Sequence, residues 1–213
     1  MKIHEFQARS LLKEFGVPVP PGVVVERIED AAAAYKAVVE EAGLGKGGLA
    51  VVKAQVFAGG RGKAGFVKLV RSPEEATDAA RFMLSNRMVS KQTGPEGLEV
   101  TRLLVAAGVE IEKEFDLAIT TDRATRRNVL IASSEGGVDI EEVAEKNPDA
   151  IRKQPIHPLL GLQPHQARRM AFELGFTGKQ VGQATKIMLA LAKSYEKLDC
   201  TIAEINPLIV TPA

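Results

Sequence analysis

Residues 49–69, LAVVKAQVFAGGRGKAGFVKL, decide how the chain is read. A strand-like apolar run, Leu49 to Phe57, carries one lysine, Lys53, then gives way to a loop rich in glycine and cations before a second apolar run, Phe66 to Val70. Gly59, Gly60, Gly62 and Gly65 let backbone N–H groups approach a ligand closely, and Arg61 and Lys63 add positive charge, the composition of a phosphate cradle. A lysine inside an apolar strand must reach solvent or meet an anion, because an unpaired buried ammonium is costly. Lys53 therefore reads either as a contact for nucleotide phosphates or as a strand-edge lysine facing water. The loop is neither GxxxxGK followed by Ser or Thr nor GxGxxG. Alone, it also fits a hairpin turn with solvated cations.

Working toward the N-terminus, Glu29 to Ala42 is an alanine-rich helix closed by Gly43, and VPVPPG at 17–22 is an extended connection. Before it, His4 to Phe15 places Phe6, Leu11, Leu12 and Phe15 on one helical face, with Gly16 as the terminating residue.

Beyond the loop, Ser72-Pro73-Glu74-Glu75 is a capping box with proline at the first helical position, opening a helix to about Leu84. Val100 to Ala107, Phe115 to Thr121 and Asn128 to Ser133 read as strands, the last two joined into a hairpin by the polar link Asp122 to Arg127. SSEGGVDIEEVAE at 133–145 pairs two glycines with a short acidic helix. Prolines at 148, 155, 158 and 164 predict irregular, ordered loop over 147–164. Helices over about 165–174 and 178–197 precede a final strand, Thr201 to Val210, broken by Pro207. Interleaved strands and helices without a regular βαβ rhythm predict an α+β chain in two lobes.

Charge and composition remove several functions. Twenty-eight Lys and Arg against 27 Asp and Glu leave +1, so no global field draws nucleic acid, and eight Phe, two Tyr and no Trp offer little base-stacking surface. No run approaches the roughly 18 apolar residues of a membrane span. Cys200 is the single cysteine, which excludes an internal disulfide and a cysteine-built zinc site. It reads as a small buried hydrophobe. The opening MKIHEFQARSLLKEF carries charges throughout and does not read as a secretory leader. The location expected is the cytoplasm, or the matrix if the source has organelles.

Near the C-terminus, Glu204 and Asn206 stand two apart in a strand and so share a face. Mg²⁺ takes hard oxygen ligands, usually only one or two from protein, and a carboxylate beside an amide fits that need; a polar outer strand face is the alternative. Glu114 can accept from a ribose or an amino group, or simply be solvated. His4, His157 and His165 lack ligand spacing and read as structural or exposed.

The segments KIHEFQARSLLKEFGVPVPPG (2–22), VVKAQVFAGGRGKAG (51–65), TTDRATRR (120–127), SSEGGVDIEEVAE (133–145) and AEINPLIV (203–210), in this order, resemble the N-terminal part of the β subunits of ADP-forming succinyl-CoA synthetases (succinate–CoA ligases). The resemblance covers essentially the whole chain. It implies an ATP-grasp fold whose two α+β lobes clamp a nucleotide, with residues 1–20 and 106–213 as one lobe and 21–105 inserted as the smaller. It implies a ligase reaction that joins succinate and CoA at the expense of ATP, through a phosphohistidine on a separate α subunit. Nucleotide contacts would fall to Lys53, Gly60, Arg61, Gly62, Ala106, Val109 and Glu114, and Mg²⁺ to Asn206 with Glu204 beside it; Arg61 and Lys63 would stabilise charge during transfer.

The chain departs from the family at VAAG (105–108), where Ala106 replaces a glutamate that often meets the base, and in ending at Ala213, before a second domain and a further aspartate for the metal. It therefore reads as a fragment, inactive alone. Malate–CoA ligase β subunits share the motifs, ATP-citrate lyases do so more distantly, and a non-catalytic nucleotide-binding module is the alternative of another class.

Overall fold

A computed structural model describes residues 1–137, 143 and 145–212. The helix expected over the acidic segment at 138–145 falls largely outside the described residues.

The chain divides into two compact units, Met1–Ser10 with Val19–Val109, and Leu11–Pro18 with Glu110–Ala213. Helix α1 (Glu5–Glu14) runs across the division. In the first unit, β1 (Gly22–Val25), β2 (Ala50–Ala54), β3 (Val67–Val70) and β4 (Leu103–Ala107) form an antiparallel sheet in the order β1-β4-β2-β3. Helices α2 (Ala31–Glu41) and α3 (Pro73–Ser85) cover one face. Along β2, Ala50, Val52 and Ala54 are fully buried while Val51 and Lys53 are not. The period of two thus sends Val52 into the helix-covered core and turns Lys53 to the opposite face, beside Leu104 and Val67. Ala76, Ala79, Ala80 and Met83 make the buried stripe of α3 at spacings of three and four. Small alanines let that helix lie close to the sheet.

Ser72 caps α3 by accepting from the Glu75 N–H at 3.1 Å, with Pro73 in the first turn. Such a cap stabilises a helix by roughly 1 kcal/mol. The glutamate reaches one residue further back than a capping box requires, to the Arg71 N–H at 2.6 Å.

The second unit is an antiparallel sheet in the order β7-β6-β5-β8, built from β5 (Lys113–Asp122), β6 (Arg127–Ser133), β7 (Ile151–Pro155) and β8 (Ile202–Val210). Helices α4 (Pro164–Glu173) and α5 (Lys179–Lys197) pack on the face that carries Phe115, Leu117 and Ile119. The hairpin between β5 and β6 closes where predicted. Asp122 accepts from the Ala124 N–H and the Thr125 hydroxyl, holding the link.

Four expectations need correcting. Gly22, read as the last residue of the 17–22 connection, opens a strand over 22–25 that pairs with β4. The proline-punctuated segment 147–164 contains β7, whose IRKQP sequence lacks alternation because its buried position is polar: Gln154 accepts from Arg169 at 2.5 Å. Pro207 does not end β8. The pairing slips there, with Ile205 opposite Leu117 and Leu208 opposite Phe115, so Asn206 and Pro207 together face Asp116 as a β-bulge on an edge strand, where a residue without an N–H is tolerated. Cys200 is half-buried, not buried, and burial with nearby Asp199 raises its thiol pKa.

Candidate functional site

In the first unit, three cations converge on one carboxylate. Glu5 Oε1 lies 3.1 Å from Lys53 Nζ and 3.7 Å from an Arg9 guanidinium nitrogen, and Glu5 Oε2 lies 2.9 Å from Arg61 Nη1. Glu5 is placed by the chain beside it: the Phe6 N–H donates to the Oε1 of buried Gln55, two residues beyond Lys53. Arg61 is held at a second point by donating to the Ala54 carbonyl at 3.0 Å. Burial pushes the Glu5 carboxyl up, but Lys53 and then Arg61 outweigh it and hold the pKa below the ordinary value. Three cations around one anion leave a surplus of positive charge on side chains only about a quarter exposed, 26% for both Lys53 and Arg61. A second anion is therefore attracted to this place, and a phosphate offers the same paired oxygens that Glu5 offers now.

The glycine loop is more folded on itself than its composition suggests. The N–H groups of Ala64, Gly65 and Phe66 donate to the carbonyls of Gly60, Gly62 and Arg61, a compact turn that leaves these three amides satisfied. Gly60 takes φ +76°, and a Cβ on Gly62 would meet nothing within 4 Å. Ala106 is buried on the Lys53 face of the sheet, with Leu104 between them in register. Val109 follows β4 and is half-buried. Lys63 lies within the same turn, at 61–65.

In the second unit, the sheet face opposite the helices is acidic. Glu114 and Asp116 lie on it from β5, and Glu204 lies on it from β8, paired with Ala118. Glu204 and Asn206 are both exposed. The Gly136–Gly137 turn lies against the same strand: Gly136 N–H donates to the Glu114 carbonyl at 3.3 Å, and a Cβ on Gly136 would stand 2.5 Å from the Phe115 nitrogen. Only glycine permits that approach.

Asp116 was not among the residues singled out by sequence. It is 4% exposed, and neither carboxylate oxygen has a hydrogen-bond partner. Burial pushes its pKa up to about 6 against the opposing pull of the Gly137 N–H, and the Glu204 and then the Glu114 charge add to the rise. The signal was available: a carboxylate in the apolar run FDLAI poses the same question as a lysine in AVVKA.

The ATP-grasp domain model matches residues 2–210. The chain belongs to the ATP-grasp family. Among ATP-grasp relatives it is 54% identical over 211 residues to the succinate–CoA ligase [ADP-forming] subunit beta of Chloroherpeton thalassium, which covers 99% of this chain and 53% of that one. It is 50% identical over 213 residues to the subunit of the same name from Geobacter sulfurreducens, again covering 53% of it. The chain thus spans about half the length of the curated relatives it matches. A protein of Pyrococcus horikoshii Ot3 has the same fold at a TM-score of 0.73 and 19% identity, covering 98% of this chain and 84% of that one. So does a dinucleotide-forming acetyl-coenzyme A synthetase of Ca. Korarchaeum cryptofilum, at 0.67 and 20%, covering 99% and 88%.

Among the described residues, the other parts of this ATP-grasp chain do not assemble a centre. His157 Nδ1 accepts from the N–H groups of Leu159 and Leu160, a turn-holding task, and His4 stacks on Phe57 at 4.1 Å. A cavity of about 750 Å³ opens between α2, the 43–47 loop and the start of α3, on the helix side of the first sheet, away from Lys53. Among the described residues no three His, Cys, Asp or Glu side chains are grouped to hold a metal ion unaided, and no helix is long and apolar enough to cross a membrane.

Proposed function

We propose that the chain is the nucleotide-binding part of a succinate–CoA ligase β subunit and binds ATP or ADP with Mg²⁺. The observation that carries this reading is the convergence of Lys53, Arg61 and Arg9 on the single carboxylate of Glu5. Two quarter-exposed cations with a net positive surplus suit nucleotide phosphates. Relatives bearing that enzyme's name at 50–54% identity supply the reaction class.

Lys53 and Arg61 would neutralise and orient the phosphoryl oxygens, with the Gly60–Gly62 turn beside them and Lys63 adding charge. Such positioning and charge compensation is most of what phosphoryl transfer asks of a protein. Glu114 would accept from the nucleoside, while Ala106 and Val109 offer only apolar surface and backbone groups to a base. The acidic face fits a hard divalent cation: a buried carboxylate without a donor, Asp116, lies on it, and Asn206 and Glu204 supply an amide and a carboxylate oxygen. Those two would hold Mg²⁺, which when bound screens phosphate charge. The remainder of the site, including the phosphohistidine, would come from an α subunit and from the half of the relatives' length that this chain does not span. A reducing cytoplasmic or matrix location suits the lone, unactivated Cys200.

A thermal shift titration tests the reading, since a ligand that binds only the native state must raise its stability. Millimolar Mg-ADP and Mg-ATP should raise Tm by several degrees. No rise with either, or with Mg-GTP, contradicts it.

A further inference from the structure

We propose that Asp116 is a ligand, direct or through one water, for the divalent cation that accompanies the nucleotide. This rests on the nucleotide reading above but makes a ligand of a residue that reading leaves out of those holding Mg²⁺.

Asp116 sits in the middle of β5 with both oxygens shielded from solvent and unpartnered. A dry carboxylate with no donor is unfavourable unless something positive reaches it. Among the described residues no lysine, arginine or histidine is paired with it. Its charged neighbours on the same face, Glu204 and Glu114, are both acids and make the position worse.

Two local features aim the position at a cation. The bulge on β8 sets Asn206 and Pro207 together opposite Asp116, bringing a neutral amide oxygen to the neighbouring strand position at the point where pairing slips. On the other side, the Gly136–Gly137 turn packs onto the β5 backbone at Glu114 and Phe115, and its Gly137 N–H, the one donor that acts on the carboxylate, leaves both oxygens without a formed hydrogen bond. A bulge and a glycine turn at one residue leave a hard, anionic, dehydrated oxygen pair across from Asn206 on the next strand. Mg²⁺ and Mn²⁺ need only one or two such protein ligands, completing their shells with water and phosphate. A cation there removes the Asp116 penalty and the repulsion from Glu114 and Glu204 together.

The test is Mn²⁺ titration of the full chain, followed by loss of the free-ion EPR signal, without nucleotide and with saturating ADP. Asp116→Asn, which keeps the shape and removes the charge, should weaken Mn²⁺ binding at least ten-fold in whichever titration the wild type binds, while ADP affinity in EDTA does not weaken. Equal Mn²⁺ affinity in wild type and Asp116→Asn overturns the proposal and leaves the nucleotide reading standing. Absence of ADP binding in wild type overturns the nucleotide reading, and the titration without nucleotide still decides Asp116. Wild type that takes up no Mn²⁺ in either titration also overturns the proposal. As a measurement that needs no variant, bound Mn²⁺ should broaden the ¹⁵N–¹H signals of Asp116 and Leu117; sharp signals at saturation count against the assignment.

Discussion

The carboxylate of Glu5 bridges Lys53 and Arg61, 3.1 Å from the lysine nitrogen and 2.9 Å from the arginine. The first turn of α1 thereby occupies with its own anion the cations that a phosphate would use. Replacing Glu5 by Gln keeps a hydrogen-bond acceptor and removes the competing charge. At about 5 Å and an effective dielectric near 20, one charge is worth roughly 3 kcal/mol. Discounted for partial exposure, about 1 kcal/mol remains. Calorimetry should therefore find Mg-ADP binding to Glu5→Gln tightened by roughly five-fold, while Tm falls by about 2–4 °C.

The same carboxylate sets a pH dependence. Its folded pKa lies below the unfolded value of about 4.3, so the stability it contributes is present above that pH and is lost as pH falls through the folded value. The Tm difference between wild type and Glu5→Gln should be constant from pH 6 to 8 and shrink below about pH 4. A difference that grows on acidification would reverse the assigned sign.

Asp116 titrates in the opposite sense. Its pKa is raised in the folded state to about 6, so the native chain binds the extra proton and stability declines as pH rises from about 4 through 6. In EDTA, Asp116→Asn should melt above wild type at pH 7.5 and match it at pH 4.5. A lower melting temperature at pH 7.5 would mean that the carboxylate has a stabilising partner after all.

Two glycines separate packing from binding. A Cβ on Gly136 would press on the β5 backbone, which cannot step aside, and Gly136→Ala should cost about 1–3 kcal/mol in denaturant unfolding. A Cβ on Gly62 meets open space at an ordinary φ, so Gly62→Ala should leave stability unchanged; any loss it causes in Mg-ADP affinity then reports contact with the nucleotide.

Much of the fold is legible in the chain because its signals are local. Ser72 and Pro73 start a helix, Gly175 ends one, and the Asp122–Arg127 link turns a hairpin, each through chemistry contained within a few residues. The two missed strands depend on distant partners. GVVV at 22–25 becomes a strand because β4 lies beside it, and IRKQP because Gln154 finds Arg169. The candidate site divides in the same way. Lys53 stands out as a charge in an apolar strand, and Asp116 carries the same signature, yet its significance rests on what the structure withholds from it, a donor. Glu5 as partner of Lys53 has no sequence signal, since the two stand 48 positions apart.

The account stands most directly on Lys53 and Arg61 as phosphate contacts. Calorimetric titration of the full chain with Mg-ADP and, separately, with adenosine tests it in wild type and in Lys53→Met and Arg61→Met variants checked for folding by circular dichroism. Each variant should weaken Mg-ADP at least ten-fold, about 1.4 kcal/mol, and leave adenosine binding unchanged. Mg-ADP binding at wild-type strength in both variants would contradict the account.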